Sequence, residues 1–457
     1  MDKPTKMEYS QPHRIPKFQP RIIIHGGAGN ITPANLPPDL YNQYRASLLT
    51  IVSKTHTYML TPLPSSSLPS SLSVSTYAVT LLENNPLFNA GHGAVFTRDG
   101  TNELEASVMV SRGHSKRGVG VTGLKHVRNP ILLAKSLLEH GDSDLLSSSK
   151  QNDIPSAQGH TLLYGKSAEI LAEKYGLELV DPSYFFTQKR WDEHIRALER
   201  EKSGVEITAT WSKDEYLPQG TVGAVALDEE GVVCAATSTG GLTNKLSGRI
   251  GDTPSVGAGF WAEEWEETDV SSHPLGVSGG PGVILSGALK KLMADCLPTP
   301  FMYTPECRRV IKTRALAVSG TGNGDSFLRT AAARTIGAVA RWGGYHGRIA
   351  ARKVAGPDGE LQKSAGDRWG KTGEGQGGVI GIEAVVTRDV ETGEVVGARS
   401  DLIQEFNCGG LFRAWVDEKG VAYARVWPDE KRLLKEYPGE TMPEQPRDWD
   451  GGKLMMR

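Results

Sequence analysis

Residues 220–239 constrain the fold more than any other stretch. The run Gly220-Thr-Val-Gly-Ala-Val-Ala-Leu-Asp228 ends a charged segment and opens the most strongly β-patterned part of the chain. Small and β-branched residues at 222–227 predict a strand, 228–231 a hairpin turn and 232–237 the return strand. Further strands are expected at 21–25, 94–97, 105–110, 119–124, 316–319, 378–386, 394–400 and 422–427. Helices are expected at 40–59, 76–83, 131–139, 167–175 and 326–342. Strands arrive in antiparallel pairs with helices grouped between the sets. That pattern favours an α/β (α+β) fold of sheets packed on each other and covered by helices over a parallel βαβ sheet.

The remaining segments read as connections. Residues 1–20 form a polar lead-in without the apolar core of a secretory signal. Residues 61–75 and 142–158 are Ser-rich and loop-like, 190–220 form an exposed charged connection, and 343–377 form a Gly/Lys/Arg-rich surface insertion. The long stretch 262–317 carries the acidic run Glu263-Glu-Trp-Glu-Glu267, expected to be a solvated face. No apolar run approaches the length of a membrane span. A formal net charge of −2 gives no reason to expect nucleic acid or an anionic membrane as partner. Cys234, Cys296, Cys307 and Cys408 include no CxxC pair, so reduced buried thiols and a reducing, cytoplasmic location are expected.

Two motifs mislead. Gly118-Val-Gly-Val-Thr-Gly123 matches GxGxxG, but Asn129-Pro130 intervenes before the next helix, so no helix starts at that turn. Gly370-Lys-Thr372 resembles the end of a phosphate loop, but Ala365 stands where its first glycine would fall. The 11 histidines form no zinc-type pair with a carboxylate partner, and no GxSxG elbow occurs.

Three segments carry chemistry. A chain cut between Gly220 and Thr221 would leave a free α-amine beside the threonine hydroxyl, with a pKa near neutrality suited to a general base. The segment 236–252 supplies Thr239 and, three residues apart, Arg249 to grip a carboxylate and Asp252 to accept an ammonium. Ser319-Gly-Thr-Gly-Asn-Gly-Asp325 follows a strand and precedes a helix, so its N–H groups can face developing negative charge.

Together these segments resemble the plant-type (type III) L-asparaginase / isoaspartyl peptidase family of N-terminal-nucleophile threonine hydrolases. Pro86-Leu-Phe-Asn-Ala-Gly-His-Gly-Ala-Val-Phe-Thr-Arg-Asp-Gly100, His25-Gly-Gly-Ala-Gly29 and Arg128-Asn-Pro130 match the same family, in its order. The resemblance implies a four-layer αββα sandwich as a single hydrolase domain at 21–457, cut into 21–220 (with 1–20) and 221–457. It implies Thr221 as nucleophile, Thr239 as the threonine that orients it, and Thr321 with the Gly322 N–H as oxyanion donors. Arg249 would hold the substrate α-carboxylate, and Asp252 and the Gly324 carbonyl its α-amine. Asn89 would sit near the nucleophile and take part in maturation. The resemblance further implies a structural sodium ion on the main-chain carbonyls of Leu82, Glu83, Asn85, Phe88, Ala90 and His92. No organic cofactor is implied, the partner is a small-molecule substrate, and the assembly is a homodimer of αβ units.

The implied reaction is acyl transfer from asparagine or a β-aspartyl dipeptide to Thr221, then to water, releasing aspartate. The chain departs from the family where Glu105 stands for a usual Asp, where Val110-Ser111 replace a usual Asp-Gly, and where Cys408 stands for a common Thr. These departures bear on substrate choice more than on chemistry. Glycosylasparaginase is the nearest rival, but it carries Thr-Ile-Gly-Met at the nucleophile, where this chain has Thr-Val-Gly-Ala. An inactive scaffold would be favoured by loss of a catalytic threonine, and all three are present.

Overall fold

A computed structural model of the chain describes residues 17–115, 117–146, 156–217, 220–271 and 308–428. Its elements form a mixed α/β fold with two sheets. The first sheet draws on β1 (Arg21–Gly29), β2 (Leu104–Val110), β3 (Gly118–Leu124), β4 (Leu162–Tyr164), β5 (Val222–Leu227), β6 (Val233–Thr239), β11 (Gly410–Val416) and β12 (Ala422–Arg425). Its order is β12-β11-β1-β5-β6-β2-β3-β4. The pairs are antiparallel except β3 with β4, which is parallel. Every residue of β2, β3, β5 and β6 is buried, so these strands read as mostly apolar or small-residue runs rather than alternating ones, with Glu105 the one charged residue among them.

Helices α1 (Pro38–Leu60), α2 (Ser71–Glu83) and α3 (Pro130–Leu146) belong with this sheet. Their Leu48, Val52, Ala78, Val79, Leu82, Ile131 and Leu138 share one apolar core with Ile22, Ile24, Val108, Val121 and Ala224 of the strands. Prolines at the first positions of α1 and α3 start helices where no intrahelical N–H is needed. Helices α4 (Gly165–Lys174) and α5 (Gln188–Lys202) follow.

The second sheet has the order β10-β9-β8-β7, from β7 (Phe260–Ser271), β8 (Arg308–Gly322), β9 (Gly377–Asp389) and β10 (Val395–Phe406). Four helices pack with it: α6 (Gly324–Thr330), α7 (Ala332–Trp342), α8 (Gly347–Ala355) and α9 (Glu360–Ala365). Phe327, Ile336, Ala351, Val354 and Leu361 form a second core with Trp265, Leu316, Val318, Val379 and Ile403.

The chain divides into two compact units. Among the described residues, the larger comprises those of 17–265, 315–384 and 399–428, the smaller those of 266–271, 308–314 and 385–398. In the smaller unit Arg314 pairs with Glu267 at 2.9 Å, and Asp389 Oδ1 accepts the N–H groups of Glu391 and Thr392 at the turn before β10.

Several local expectations are corrected. Residues 94–97 are not a strand; Thr97 makes only an isolated bridge to Lys245. Helix α2 starts at Ser71 inside the expected irregular stretch, because Ser70 caps it by accepting the Ser73 N–H. The expected connection 190–220 contains α5, with Arg190, Glu193, His194 and Ala197 buried. The single helix 326–342 is two, broken at Ala331 in the left-handed region (φ 45°). The insertion 343–377 contains α8 and α9, whose alanines and Leu361 complete the second core.

The acidic run is not a solvated face. It lies on β7, where Glu263 is buried and pairs with Arg334 (3.3 Å) and Arg341 (3.1 Å), Glu264 pairs with Arg112, and Trp265 enters the core. Both ends of the stretch 262–317 are therefore strands of one sheet, and its middle, 272–307, lies outside the described residues. The lead-in 1–16 also lies outside them, whereas Phe18 is buried and its N–H donates to Glu229 O at 2.9 Å.

Candidate active site

Gly220 and Thr221 meet four separate segments of the chain. A Cβ on Gly220 would fall 2.3 Å from Gly27 Cα and 2.8 Å from Ala28 N, so the Gly220–Thr221 junction is pressed against the backbone of the β1 glycine run. No residue larger than glycine fits there without moving that backbone. The Ala28 N–H in turn donates to Thr321 Oγ1 at 3.2 Å, which brings the Thr321 hydroxyl to the same place from the end of β8. Gly322 beside it has φ 138°, and a Cβ there would lie 2.5 Å from both Gln376 O and Gly377 Cα.

Thr221 itself is buried, one residue before β5. Its Oγ1 lies 3.2 Å from Thr253 Oγ1. Its carbonyl is held by His25 Nδ1 at 2.9 Å, and His25 Nε2 is 2.7 Å from Ser319 Oγ. Burial pushes the His25 imidazole down to about 3, so the ring is neutral. A carbonyl only accepts, so Nδ1 carries the proton and Nε2 accepts from the Ser319 hydroxyl. Gly223 leaves room for this pair, since a Cβ there would sit 2.2 Å from Ser319 Oγ and 2.4 Å from His25 Nε2.

The β5–β6 register pairs Val222 with Ser238, so one step further Thr221 faces Thr239. Thr239 Oγ1 accepts the Gly241 N–H at 3.0 Å, shaping the turn that leaves β6. Asn89 closes that turn from the other side. Its Nδ2 donates to Gly241 O (2.7 Å), its Oδ1 accepts from Val95 N (3.0 Å), and its carbonyl accepts from Gly240 N (3.1 Å).

A charged cluster lies in the loop after β6. A Cβ on Gly324 would meet Asp252 Oδ1 at 2.5 Å and Arg249 Nη2 at 3.0 Å, so Arg249, Asp252 and Gly324 converge on one point. Arg249 Nη2 also donates to Asp325 Oδ1 at 2.8 Å. Burial pushes the Asp252 carboxyl up to about 7, opposed by the Arg249 guanidinium and reinforced by the Glu105 carboxylate. Asp252 Oδ2 has no hydrogen-bond partner among the described residues. The cluster thus offers a cation for a carboxylate and a carboxylate for an ammonium, at one place.

The loop 82–93 carries the carbonyls expected for a metal. A Cβ on Gly91 would fall 2.5 Å from Glu83 O, and one on Gly93 would fall 2.2 Å from Phe88 O and 2.6 Å from Pro86 O. The carbonyls therefore curl inward against residues that only glycine can be. Asn85 O and Ala90 O already accept N–H groups from Phe88 and Gly93, each keeping a second lone pair, and Leu82 O accepts from both Asn84 and Asn85. The Glu83 side chain, pushed up to about 7 by burial, accepts from Ser238 Oγ (2.7 Å) and Ile131 N (3.0 Å) and ties the loop to β6 and α3. Buried Arg190 of α5 grips the loop from outside, donating to Leu87 O (2.7 Å) and Gly93 O (3.0 Å).

All the expected site residues fall in this neighbourhood or its supporting loop. Thr253, His25 and Ser319 escaped the residue-level reading. Each lay inside or beside a quoted motif, but hydroxyls next to an ion-pair residue, or a histidine ending a strand, carry no signal until the fold aligns them.

Comparison with known proteins gives consistent results. The family model described as asparaginase matches residues 18–271. The isoaspartyl peptidase of Escherichia coli is 38% identical over 302 residues, covering 66% of this chain and 84% of that protein. The isoaspartyl peptidase of Salmonella typhimurium is 32% identical over 394 residues, covering 86% and 94%. The plant-type L-asparaginase of Pyrococcus furiosus is 35% identical over 250 residues, covering 53% and 70%.

Proposed function

Because the chain belongs to the asparaginase family, we propose that it is a threonine amidohydrolase that cuts itself before Thr221 and then hydrolyses L-asparagine and β-aspartyl peptides to L-aspartate. The observation that carries this reading is the meeting of Gly220–Thr221, the Thr321 hydroxyl and the Arg249/Asp252/Gly324 cluster in one buried neighbourhood.

In the uncut chain, Thr221 Oγ1 attacks the Gly220 carbonyl carbon. The peptide C–N bond breaks, an ester forms, and the nitrogen leaves as the new α-amine of Thr221. Water then hydrolyses the ester, freeing the carboxylate of Gly220 and the hydroxyl. The close seat of Gly220 on Gly27–Ala28 supports this step by limiting how the scissile unit can move. His25, neutral and fixed by Ser319, holds the Thr221 carbonyl and so orients the residue.

In turnover, the freed amine takes the Thr221 hydroxyl proton as the oxygen attacks the substrate side-chain carbonyl. Ammonia, or an amino acid, leaves with that proton. Water attacks the acyl-enzyme and aspartate departs. Thr239 and Thr253 orient the nucleophile. Thr321 and the Gly322 N–H stabilise the oxyanion. Arg249 holds the α-carboxylate, and Asp252 with the Gly324 carbonyl the α-ammonium.

A sodium ion fits the carbonyls of Leu82, Glu83, Asn85, Phe88, Ala90 and His92, where a hard cation would fix the loop bearing Asn89. The arrangement of two sheets, each with its own helices, supports an αββα sandwich. A homodimer of αβ units and a cytoplasmic location complete the reading; no helix among the described residues is long and apolar enough to cross a membrane. The test is release of aspartate from asparagine and from a β-aspartyl dipeptide by the purified protein, abolished in Thr221→Ala. Failure with both substrates in a self-processed preparation would overturn the substrate assignment.

A further inference from the structure

The charged cluster contains a second buried carboxylate that the proposed reaction leaves unused. Glu105 on β2 is fully buried. Its Oε1 is occupied, accepting from Gly251 N (3.0 Å) and Thr122 Oγ1 (3.2 Å), with Lys245 Nζ 3.9 Å away. Its Oε2 has no hydrogen-bond partner among the described residues. That free oxygen and Arg249 Nη1 both lie 3.0 Å from the point where a Cβ on Gly251 would sit, so Oε2 opens toward the Arg249–Asp252 loop. The register places Glu105 directly opposite Thr239, the residue facing Thr221.

Glu105 Oε2 is thus buried, unpaired and beside the Arg249 guanidinium, and Asp252, whose Oδ1 faces the same guanidinium at Gly324, has its own Oδ2 unpaired. An unpaired buried carboxylate oxygen is costly, and a cation with several donors removes the cost. Lys245 does not do so: its ammonium donates to Glu103 O at 2.9 Å and lies 3.9 Å from Oε1, leaving Oε2 without a partner among the described residues. An α-ammonium has three N–H donors. Asp252 and the Gly324 carbonyl satisfy two.

We propose that Glu105 is a specificity-determining residue that accepts the third N–H of the aspartyl α-ammonium through Oε2. The inference rests on the function proposed above and extends its amine site. It gives the Asp-to-Glu departure at this position a purpose, because the longer side chain places a free oxygen beside Gly251 while Oε1 still holds the loop. The charged groups around it are Lys245, Arg249, Asp252, Asp325 and Glu103.

The test compares L-aspartate with succinate, which has the same two carboxylates and no amine, as ligands of the full-length protein by calorimetry. Glu105→Gln keeps the shape and removes the charge. It should weaken aspartate relative to succinate by about ten- to a hundredfold, the worth of a hydrogen bond to a charged group. Glu105→Asp, which keeps the charge, should fall between wild type and Glu105→Gln and serves if the amide variant does not fold. An aspartate-to-succinate ratio unchanged in both variants overturns the proposal. So does a ratio that rises, since loss of a purely indirect like-charge effect on Asp252 would strengthen amine binding. Wild-type protein that neither binds aspartate nor turns over asparagine overturns the functional reading and the inference with it.

Discussion

The hydroxyl of Thr221 lies 3.2 Å from that of Thr253, a residue that follows directly on Asp252. The same short loop therefore carries the Asp252 carboxylate and brings a hydroxyl to Thr221, the proposed nucleophile. Thr253→Val removes the hydroxyl at nearly constant volume. It should lower kcat by about two- to tenfold, the range for one neutral hydrogen bond, with little change in KM. Thr253→Ser should recover most of the loss. Steady-state kinetics on asparagine for the three proteins checks this; a KM effect without a kcat effect would assign Thr253 to binding instead.

If Asp252 accepts the substrate ammonium as proposed, substrate capture should depend on pH through it. Its carboxyl is pushed up to about 7 by burial, so it is largely protonated in mildly acid solution and ionises as pH rises. Only the ionised form accepts an ammonium fully. The acid limb of kcat/KM for asparagine should therefore include a group titrating near 7, besides the Thr221 amine. With an amine-free substrate such as succinamate, the Asp252 contribution should vanish and the amine contribution remain. The same raised value means that Asp252 favours the folded chain most below its ordinary 3.8. That contribution is lost as pH rises through about 7.

His25 links stability to pH in the opposite direction. Its imidazole is pushed down to about 3 from 6.5 by burial. The unfolded chain therefore takes up a proton between those values and the folded chain does not. The stabilisation is complete above pH 6.5 and falls as pH drops toward 3. Asp252 and Glu83, both raised to about 7, gain over the same interval, so the His25 part is read as a difference: in urea unfolding at pH 7.5 and pH 5, the Thr221→Ala protein should fare worse on acidification than its His25→Phe derivative, which lacks this loss. That variant also strands the Ser319 hydroxyl and the Thr221 carbonyl, at a cost of about 1–3 kcal/mol each, and should slow self-cleavage.

In the proposed reaction Arg249 serves substrate binding and not self-cleavage. Its guanidinium pairs with Asp325 and faces Asp252 and Gly324, whereas Gly220 is pressed against Gly27 and Ala28. Arg249→Ala should cripple asparagine turnover, with a loss of about 2–5 kcal/mol in transition-state binding, while self-cleavage proceeds. Electrophoresis and kinetics on one preparation check both; equal loss of the two would indicate misfolding.

Much of this architecture was legible in the residues. Strands β3, β5 and β6 announced themselves because each is largely a run of small or β-branched residues, whereas the close backbone contacts at Gly27, Gly220 and Gly322 emerged only with the fold. Helix α5 was hidden because its buried face is polar: Arg190 and Glu193 bury a charge pair at 2.8 Å, which no apolar period reports. Strand β7 was misread for the same reason, since Glu263 is buried by two arginines that lie more than 70 residues away in sequence. Arg249 and Asp252, three residues apart, were visible as a motif. The Thr221–Thr253 and His25–Ser319 contacts were not, because each joins residues that only the packing of the fold brings together.

The most direct test is the chemistry of the chain itself after purification. Intact mass and N-terminal sequencing should find two fragments, 1–220 and 221–457, the second beginning Thr-Val-Gly-Ala-Val, with Thr221→Ala remaining whole and inactive. A wild-type chain that stays full length and still releases aspartate from asparagine would contradict the account.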